Sequence, residues 1–317
     1  MKAFPPGRLG VLLPVDDRRT AALGICLYTA SKPWVVTLQK AAHLLVSVTG
    51  ARALPGRTQL WQPPCSADEW QCLVVAWHEA LGPFDGLAFY RRRQQARSGL
   101  TLLLARQGKA LALVKLRSEV EGGLDVEQAA LAAVSRFRPT TFRAPRPLGQ
   151  GAAGQLRWSA QEAVFSRPHQ PVIRPAPELF EEVSACLRGL VPSRSLAADQ
   201  PGISESESVA SHGDLTPWNL RRDRSGQTWL YDWEDVGPAP LDSDRAYFLA
   251  TARALGGAPM PADLRAEAVE HCRTVVHDHD RSSPGDGPLV RPLLLALDEA
   301  DDARRQAADP PGMPIRR

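Results

Sequence analysis

Apolar residues recur at helical spacing through most of positions 1–84, and from Asp85 the spacing shortens to the alternation of strands. Asp16 and Asp17 precede a helical stretch from Thr20 to Ala30, and Pro33, which can begin a helix but not continue one, precedes a second from Trp34 to Val48. Leu38, Ala41, Ala42, Leu45 and Val46 make the apolar side of that second helix, with Gln39, Lys40, His43 and Ser47 opposite. A Pro- and Gly-bearing link from Leu54 to Pro64 leads to a third helix, Ala67 to Leu81, with Trp70, Leu73, Val74 and Trp77 on one side. This front section is expected to be a helical extension: either a cap packed on its neighbour, or a membrane-surface or partner-docking element whose lysines are few for anionic lipid.

Three antiparallel strands follow, Leu87 to Arg92, Leu100 to Arg106 and Ala110 to Arg117, the last two joined by a tight turn at Gln107, Gly108 and Lys109. In the third strand Leu111, Leu113 and Lys115 share one side and Ala112, Val114 and Leu116 the other. A lysine on an apolar face either snorkels at an edge or projects into a charged-ligand cleft. Asp125 to Phe137 reads as a helix capped by Asp125, with Glu127 and Gln128 in its first turn. Phe142 to Leu148 and Gln155 to Val164 read as strands. Pro168, Pro171, Pro175 and Pro177 then mark a boundary before a helix from Glu178 to Leu190 and a serine-rich loop to Ser208. Arg245 to Leu255 and Pro261 to His277 are helical in pattern, Asp298 to Arg305 is a solvated charged face, and the end from Asp309 frays. The order predicts a small sheet-containing lobe and a larger helical one.

Composition narrows the partners. Of 317 residues 44% are hydrophobic and 23% charged, and the net charge of +3 lacks the dense basic field of a nucleic-acid binder. The five scattered cysteines, without a CxxC pair, suit reduced thiols and a cytoplasmic setting. No signal peptide is expected, because Pro5 and Pro6 interrupt the start, and Lys32, Pro33, Lys40 and His43 break the longest apolar region before it could span a membrane. His271, His277, Asp278, His279 and Asp280 can ligate metals, but they fall near the exposed end of a helix.

The sharpest chemistry is in Ser211-His212-Gly213-Asp214-Leu215-Thr216-Pro217-Trp218-Asn219, followed by Trp229-Leu230-Tyr231-Asp232-Trp233-Glu234. Asp214 and Asn219 flank a turn broken by Pro217, and Asp232 ends a short apolar strand after the turn Asp223 to Gly226. Such oxygens either converge on one hard cation or merely bond to loop backbone.

The two segments resemble the Brenner-type motif of the aminoglycoside phosphotransferase and choline kinase family, relatives of the protein kinases. The family's catalytic loop reads His-Gly-Asp-x-x-x-x-Asn, matched by His212, Gly213, Asp214 and Asn219; its metal motif, Asp-Trp-Glu in many members, is matched by Asp232, Trp233 and Glu234. The resemblance runs over about residues 85 to 280 and implies an α+β, bilobal, protein-kinase-like fold. Residues 1–84 would be a helical N-terminal extension, 85–164 a small antiparallel-sheet N-lobe, and 165–317 a mainly helical C-lobe with the catalytic and metal loops.

It also implies roles. Asp214 would receive or orient an acceptor hydroxyl, Asn219 and Asp232 would bind Mg2+ bridging the ATP phosphates, and His212 would organise the loop. Glu234 would steady the metal loop or line the acceptor pocket. Asp244, chosen over Asp242, would steady the catalytic-loop backbone. Lys115 would meet the nucleotide phosphates, paired with Glu127 in preference to Glu119 or Glu121. The first hairpin loop, Gln94 to Gly99, lacks GxGxxG, so Ser98 and Gly99 are left as phosphate donors. The base would lie near the connector Gln161 to Val164, with Gln161 and Ala163 beside it, between the lobes. The activity implied is ATP- and Mg2+-dependent phosphorylation of a hydroxyl on a small molecule such as a sugar, amino sugar or aminocyclitol. The alternatives are a peptide or protein kinase docking through residues 1–84, and a catalytically silent binding module. The acceptor, the choice of ATP or GTP and the oligomeric state are not encoded in any motif.

Overall fold

The computed structural model describes residues 1–5, 10–91, 99–118, 123–190, 208–282 and 289–308. The chain divides into two compact units, the first made of Met1–Val172 and Trp218–Glu234, the second of Ile173–Pro217 and Asp235–Arg317. Its elements are mixed, with an antiparallel sheet early and helices late, and the fold is α+β. The divisions at residues 84 and 164 do not coincide with these unit boundaries.

The first unit opens with β1 (Lys2–Phe4), β2 (Val11–Leu13), α1 (Arg18–Ile25), α2 (Pro33–Thr49) and α3 (Ala67–Leu81). It continues with β3 (Gly86–Arg91), β4 (Leu100–Arg106), β5 (Lys109–Ser118), α4 (Leu124–Phe137), β6 (Pro147–Ala153), β7 (Leu156–Glu162) and β8 (Gln170–Pro171). Seven strands form one antiparallel sheet in the order β1-β2-β3-β4-β5-β7-β6. One face packs Leu102, Leu104, Val114, Leu116 and Trp158 with Leu73 and Trp77 of α3. The other packs Leu103, Ala105 and Leu113 with Ala21, Ala22, Leu23 and Ile25 of α1.

The front section is therefore not purely helical. It supplies two strands to the sheet, and Val11 and Leu13 are fully buried in the α1 cluster. Three-residue strands are too short for period-2 alternation to register.

The apolar side expected for α2 is also displaced. Val36, Gln39 and Val46 are its buried residues, whereas Leu38 is 58% and Leu45 44% exposed. Gln39 turns inward because its amide nitrogen donates to the carbonyls of Ile25 (2.9 Å) and Tyr28 (2.6 Å), which lie at and beyond the end of α1 where helical partners run out. α3 matches its expected bounds and starts with a capping box of Ser66 and Glu69. Gly123, not Asp125, precedes α4; Asp125 lies in the first turn, where it pairs with Arg157 at 3.1 Å. β6 begins at Pro147 rather than Phe142, because Phe142 is buried beside Trp233 instead, their rings 6.0 Å apart.

Beyond Val172 the chain builds α5 (Glu178–Leu187) and β9 (Ser208–Ser211) of the second unit. It returns to the first for β10 (Leu220–Arg222) and β11 (Thr228–Leu230), which form a small sheet with β8 in the order β11-β10-β8. It finishes in the second with β12 (Gly237–Pro240), α6 (Ser243–Ala254), α7 (Ala266–Ser282) and α8 (Val290–Ala308). There β12 pairs with β9, and α6, α7 and α8 share a core that includes Tyr247, Leu264, Val269, Val276, Leu293 and Leu297. Among the described residues no helix is long and apolar enough to cross a membrane.

Candidate active site

Strand alternation puts Lys115 and Arg117 on one face of β5, and β5 runs between β4 and β7, so Lys115 is not at an edge. Its side chain is 6% exposed. Lys115 Nζ donates to Glu127 Oε1 and to Asp232 Oδ1, both at 2.6 Å, and lies 3.4 Å from Glu234 Oε2. Each partner comes from a different local device. Glu127 is delivered by the first turn of α4, Asp232 stands just past β11 in a left-handed conformation (φ 65°), and Glu234 lies in the short helical turn Trp233–Asp235. A carboxylate held at positive φ is a strained position that its surroundings must maintain.

Arg117 completes the group, donating to Glu234 Oε2 at 3.2 Å and to the Leu116 carbonyl at 3.1 Å. Ser159 of β7, directly opposite Lys115, donates to Glu127 Oε2 at 3.4 Å. Burial pushes the Glu127 carboxyl upward and the charges of Asp232 and Glu234 add to this, while Lys115 opposes them.

The β10–β11 hairpin carries the other motif oxygens of this unit. Its register pairs Leu220 with Leu230, and the Tyr231 N–H donates to the Asn219 carbonyl at 3.0 Å. Asn219, buried, and Asp232, half-buried, thus flank the two strand ends. The turn is fastened by Asp223, whose carboxylate accepts from the Ser225 and Gln227 N–H groups, the Ser225 hydroxyl and Trp229 Nε1. Desolvation works upward on Asp223, but these bonds prevail and bring it down to about 2.

In the second unit one carboxylate shapes the loop that bears Asp214. Asp244, in the first turn of α6, accepts from Ser211 Oγ at 2.8 Å, the His212 N–H at 2.8 Å and the Gly213 N–H at 3.2 Å. Gly213 has φ 82°, and a Cβ there would sit 2.1 Å from the Asp235 carbonyl oxygen. Only glycine fits. His212 is fully buried, and its Nδ1 accepts from the Asp214 N–H at 3.3 Å. Asp242 is instead 3.8 Å from Arg265.

Lys115, Glu127, Asp232 and Glu234 are thus brought together within the first unit, with Asn219 on the hairpin that ends at Asp232. Asp214, His212 and Asp244 are joined within the second. Gln161 is buried on β7, and Ala163 is partly buried against the cluster around Phe165. Gly99 lies against Arg117: a Cβ there would come within 2.2 Å of Arg117 Nη1. Ser98, Glu119 and Glu121 lie outside the described residues. No motif in the sequence nominates Arg117 or Ser159; the signal for Arg117 is its position two residues beyond Lys115 on the same strand face.

Solved structures similar to this chain include the amicoumacin kinase hAmiN in complex with AMP-PNP, Ca2+ and its ligand (12% identity, 79% of this chain and 92% of that one, TM-score 0.43). They also include spectinomycin phosphotransferase APH(9)-Ia with ADP and spectinomycin (9%, 76% and 95%, TM-score 0.44). A third is aminoglycoside phosphotransferase APH(3'')-Id from Streptomyces rimosus with ADP and streptomycin (15%, 74% and 99%, TM-score 0.39). No curated protein matches the chain. The model of the phosphotransferase enzyme family matches residues 103–276, more than half the chain and a span that holds both motifs, so the chain belongs to that family.

Proposed function

We propose that this phosphotransferase moves the γ-phosphoryl group of ATP to a hydroxyl of a small molecule such as a sugar, amino sugar or aminocyclitol. The observation that carries the reading is Lys115 Nζ, buried and 2.6 Å from both Glu127 and Asp232. A lysine so held is a fixed positive charge suited to a polyphosphate, and transfer of a phosphoryl group depends on position and charge neutralisation more than on a strong base.

The donor chemistry fits magnesium. Of the carboxylates that Lys115 meets among the described residues, Asp232 is the most open, its side chain 20% exposed against 1% for Glu127 and 8% for Glu234. Asp232 and the Asn219 amide oxygen are the hard donors that would hold the ion. Magnesium, when bound, neutralises phosphate charge. Glu127 keeps Lys115 directed at the phosphates while Asp232 exchanges its lysine contact, and Arg117 keeps Glu234 engaged. Asp214 orients the acceptor hydroxyl and takes its proton as the oxygen–phosphorus bond forms. The bond from phosphorus to the β,γ-bridging oxygen breaks, and ADP leaves. Asp244 holds the loop that presents Asp214.

An ATP-consumption screen across aminoglycosides, sugars, amino alcohols and peptides tests this, with Asp214→Asn as control. The expected result is acceptor-dependent turnover on a small molecule that falls roughly 10²- to 10⁴-fold in the variant. Turnover equal in both proteins, or confined to peptides, would sink the reading.

A further inference from the structure

Exposed apolar surface gathers on one helix. Of the eleven large hydrophobic side chains exposed among the described residues, five belong to α2: Trp34 (64% exposed), Leu38 (58%), Leu44 (67%), Leu45 (44%) and Val48 (63%). Single apolar residues scattered over a surface are ordinary, but a contiguous patch marks a face that something covers.

Spacing makes this patch contiguous. Counted from Ala41, itself exposed, Leu38 and Leu44 lie three residues away, Thr37 and Leu45 four, and Trp34 and Val48 seven. All of these fall within about 60° of Ala41 around the helix, opposite the side on which Val36, Gln39 and Val46 are buried. The alternating steps of four and three from Trp34 through Leu38, Ala41 and Leu45 to Val48 are those of a coiled-coil seam.

Area and charge select the occupant. The five large side chains leave on the order of 500 Å² of apolar surface on a helix about 25 Å long. A stable interface buries roughly 800 Å² per partner, about two-thirds of it apolar in homodimers, so this face carries the apolar share of one dimer partner. A helix lying on anionic lipid instead needs a polar face rich in Lys and Arg. Lys40 is the only such residue in α2, and the side opposite the patch is buried in its own unit. Lys40 stands about 100° round the helix from Ala41, at the rim, so no charge enters the seam.

We infer that α2 is a homodimer contact, in which two copies of the chain pair this helix antiparallel about a two-fold axis at Ala41. The two small Ala41 side chains meet at the axis and let the helices close. Leu38 then faces Leu44 of the partner subunit, and Trp34 covers Val48 of the partner subunit, large against small. A parallel pair would crowd tryptophan on tryptophan at one end of the seam and leave valine on valine at the other.

Sedimentation velocity of the full chain from about 1 to 100 μM tests this, and the wild type should be a dimer at about 10 μM. Leu44→Glu buries a carboxylate at two symmetric places and should weaken the dimer at least about hundredfold, with a cooperative melt showing that the variant folds. Leu60→Glu, at a position 89% exposed outside α2, should leave the dimer intact. Trp34→Glu and Val48→Lys should each weaken the dimer, and both in one chain should associate more tightly than either alone, because only the antiparallel arrangement sets one new charge against the other. A wild type still monomeric at about 100 μM overturns the inference, as does a dimer that survives Leu44→Glu. A double variant weaker than both single ones overturns the antiparallel pairing. Binding of a wild-type monomer to phosphatidylglycerol vesicles, lost in Leu44→Glu, overturns the inference by giving the face to lipid.

Discussion

The two units hold their motif residues in opposite ways. In the first unit one lysine is surrounded by carboxylates from α4, the end of β11 and the turn after it, with Arg117 completing the charge group. In the second unit one carboxylate, Asp244, is surrounded by donors from a single loop, two of them backbone N–H groups. The lysine cluster draws on side chains from several elements, which can re-pair with one another. The Asp244 loop is fixed through its backbone N–H groups at His212 and Gly213. Side-chain substitutions should therefore damage the first mainly through charge, and the second mainly through backbone geometry.

The bluntest way to break this comparison is to remove residues 1–84. A detachable docking module would leave the lysine cluster intact. Because β1 and β2 are strands of the sheet that carries Lys115, and Leu73 and Trp77 of α3 pack on it, the truncated chain should instead fail to fold. Circular dichroism and thermal melting should show no cooperative transition.

Lys115→Met comes next. It removes the cation shared by Glu127, Asp232 and Glu234, and urea unfolding should show a loss of roughly 3–5 kcal/mol, the cost of breaking a buried pair. A loss below 1 kcal/mol would mean that the carboxylates are relieved by protonation or solvent.

Gly213→Ala tests the other half. The left-handed backbone and the close Asp235 carbonyl should cost roughly 1–3 kcal/mol and lower turnover, with nucleotide affinity unchanged if the backbone account holds.

The smallest effect is the acid response of the β10–β11 hairpin. Asp223 sits near 2 in the folded protein, against about 3.9 in an unfolded chain, so its contribution is present above about pH 4 and is lost as pH falls toward 2. Amide exchange at Leu220–Leu230 should accelerate over that window, and Asp223→Asn should flatten the response.

Much of this architecture can be read from local pattern. β3, β4 and β5 are long enough for their apolar runs to register as strands, and the capping box leaves little freedom in where α3 begins. β1 and β2 fall below that length. The burial of Gln39 in place of Leu38 depends on carbonyls at the end of another helix, which a single-helix pattern does not contain. The site divides similarly. Motif spacing nominates Asp214, Asn219 and Asp232, and the inward face of β5 nominates Lys115. The bond from Arg117 to Glu234 joins positions 117 residues apart, and no periodicity reports such a pairing. The enclosure of Gln161 Oε1 without a donor is visible only once β5, β6 and β7 are assembled.

The central claim is that the Lys115–Asp232 group handles a magnesium-bound nucleotide. Calorimetric titration of ATP with and without Mg2+, on the wild type and on Asp232→Asn, tests it most directly. The account predicts that magnesium tightens ATP binding at least about tenfold in the wild type, a gain of about 1.4 kcal/mol, and that Asp232→Asn loses most of this gain. Magnesium-independent ATP binding, or a gain unchanged in Asp232→Asn, would contradict it.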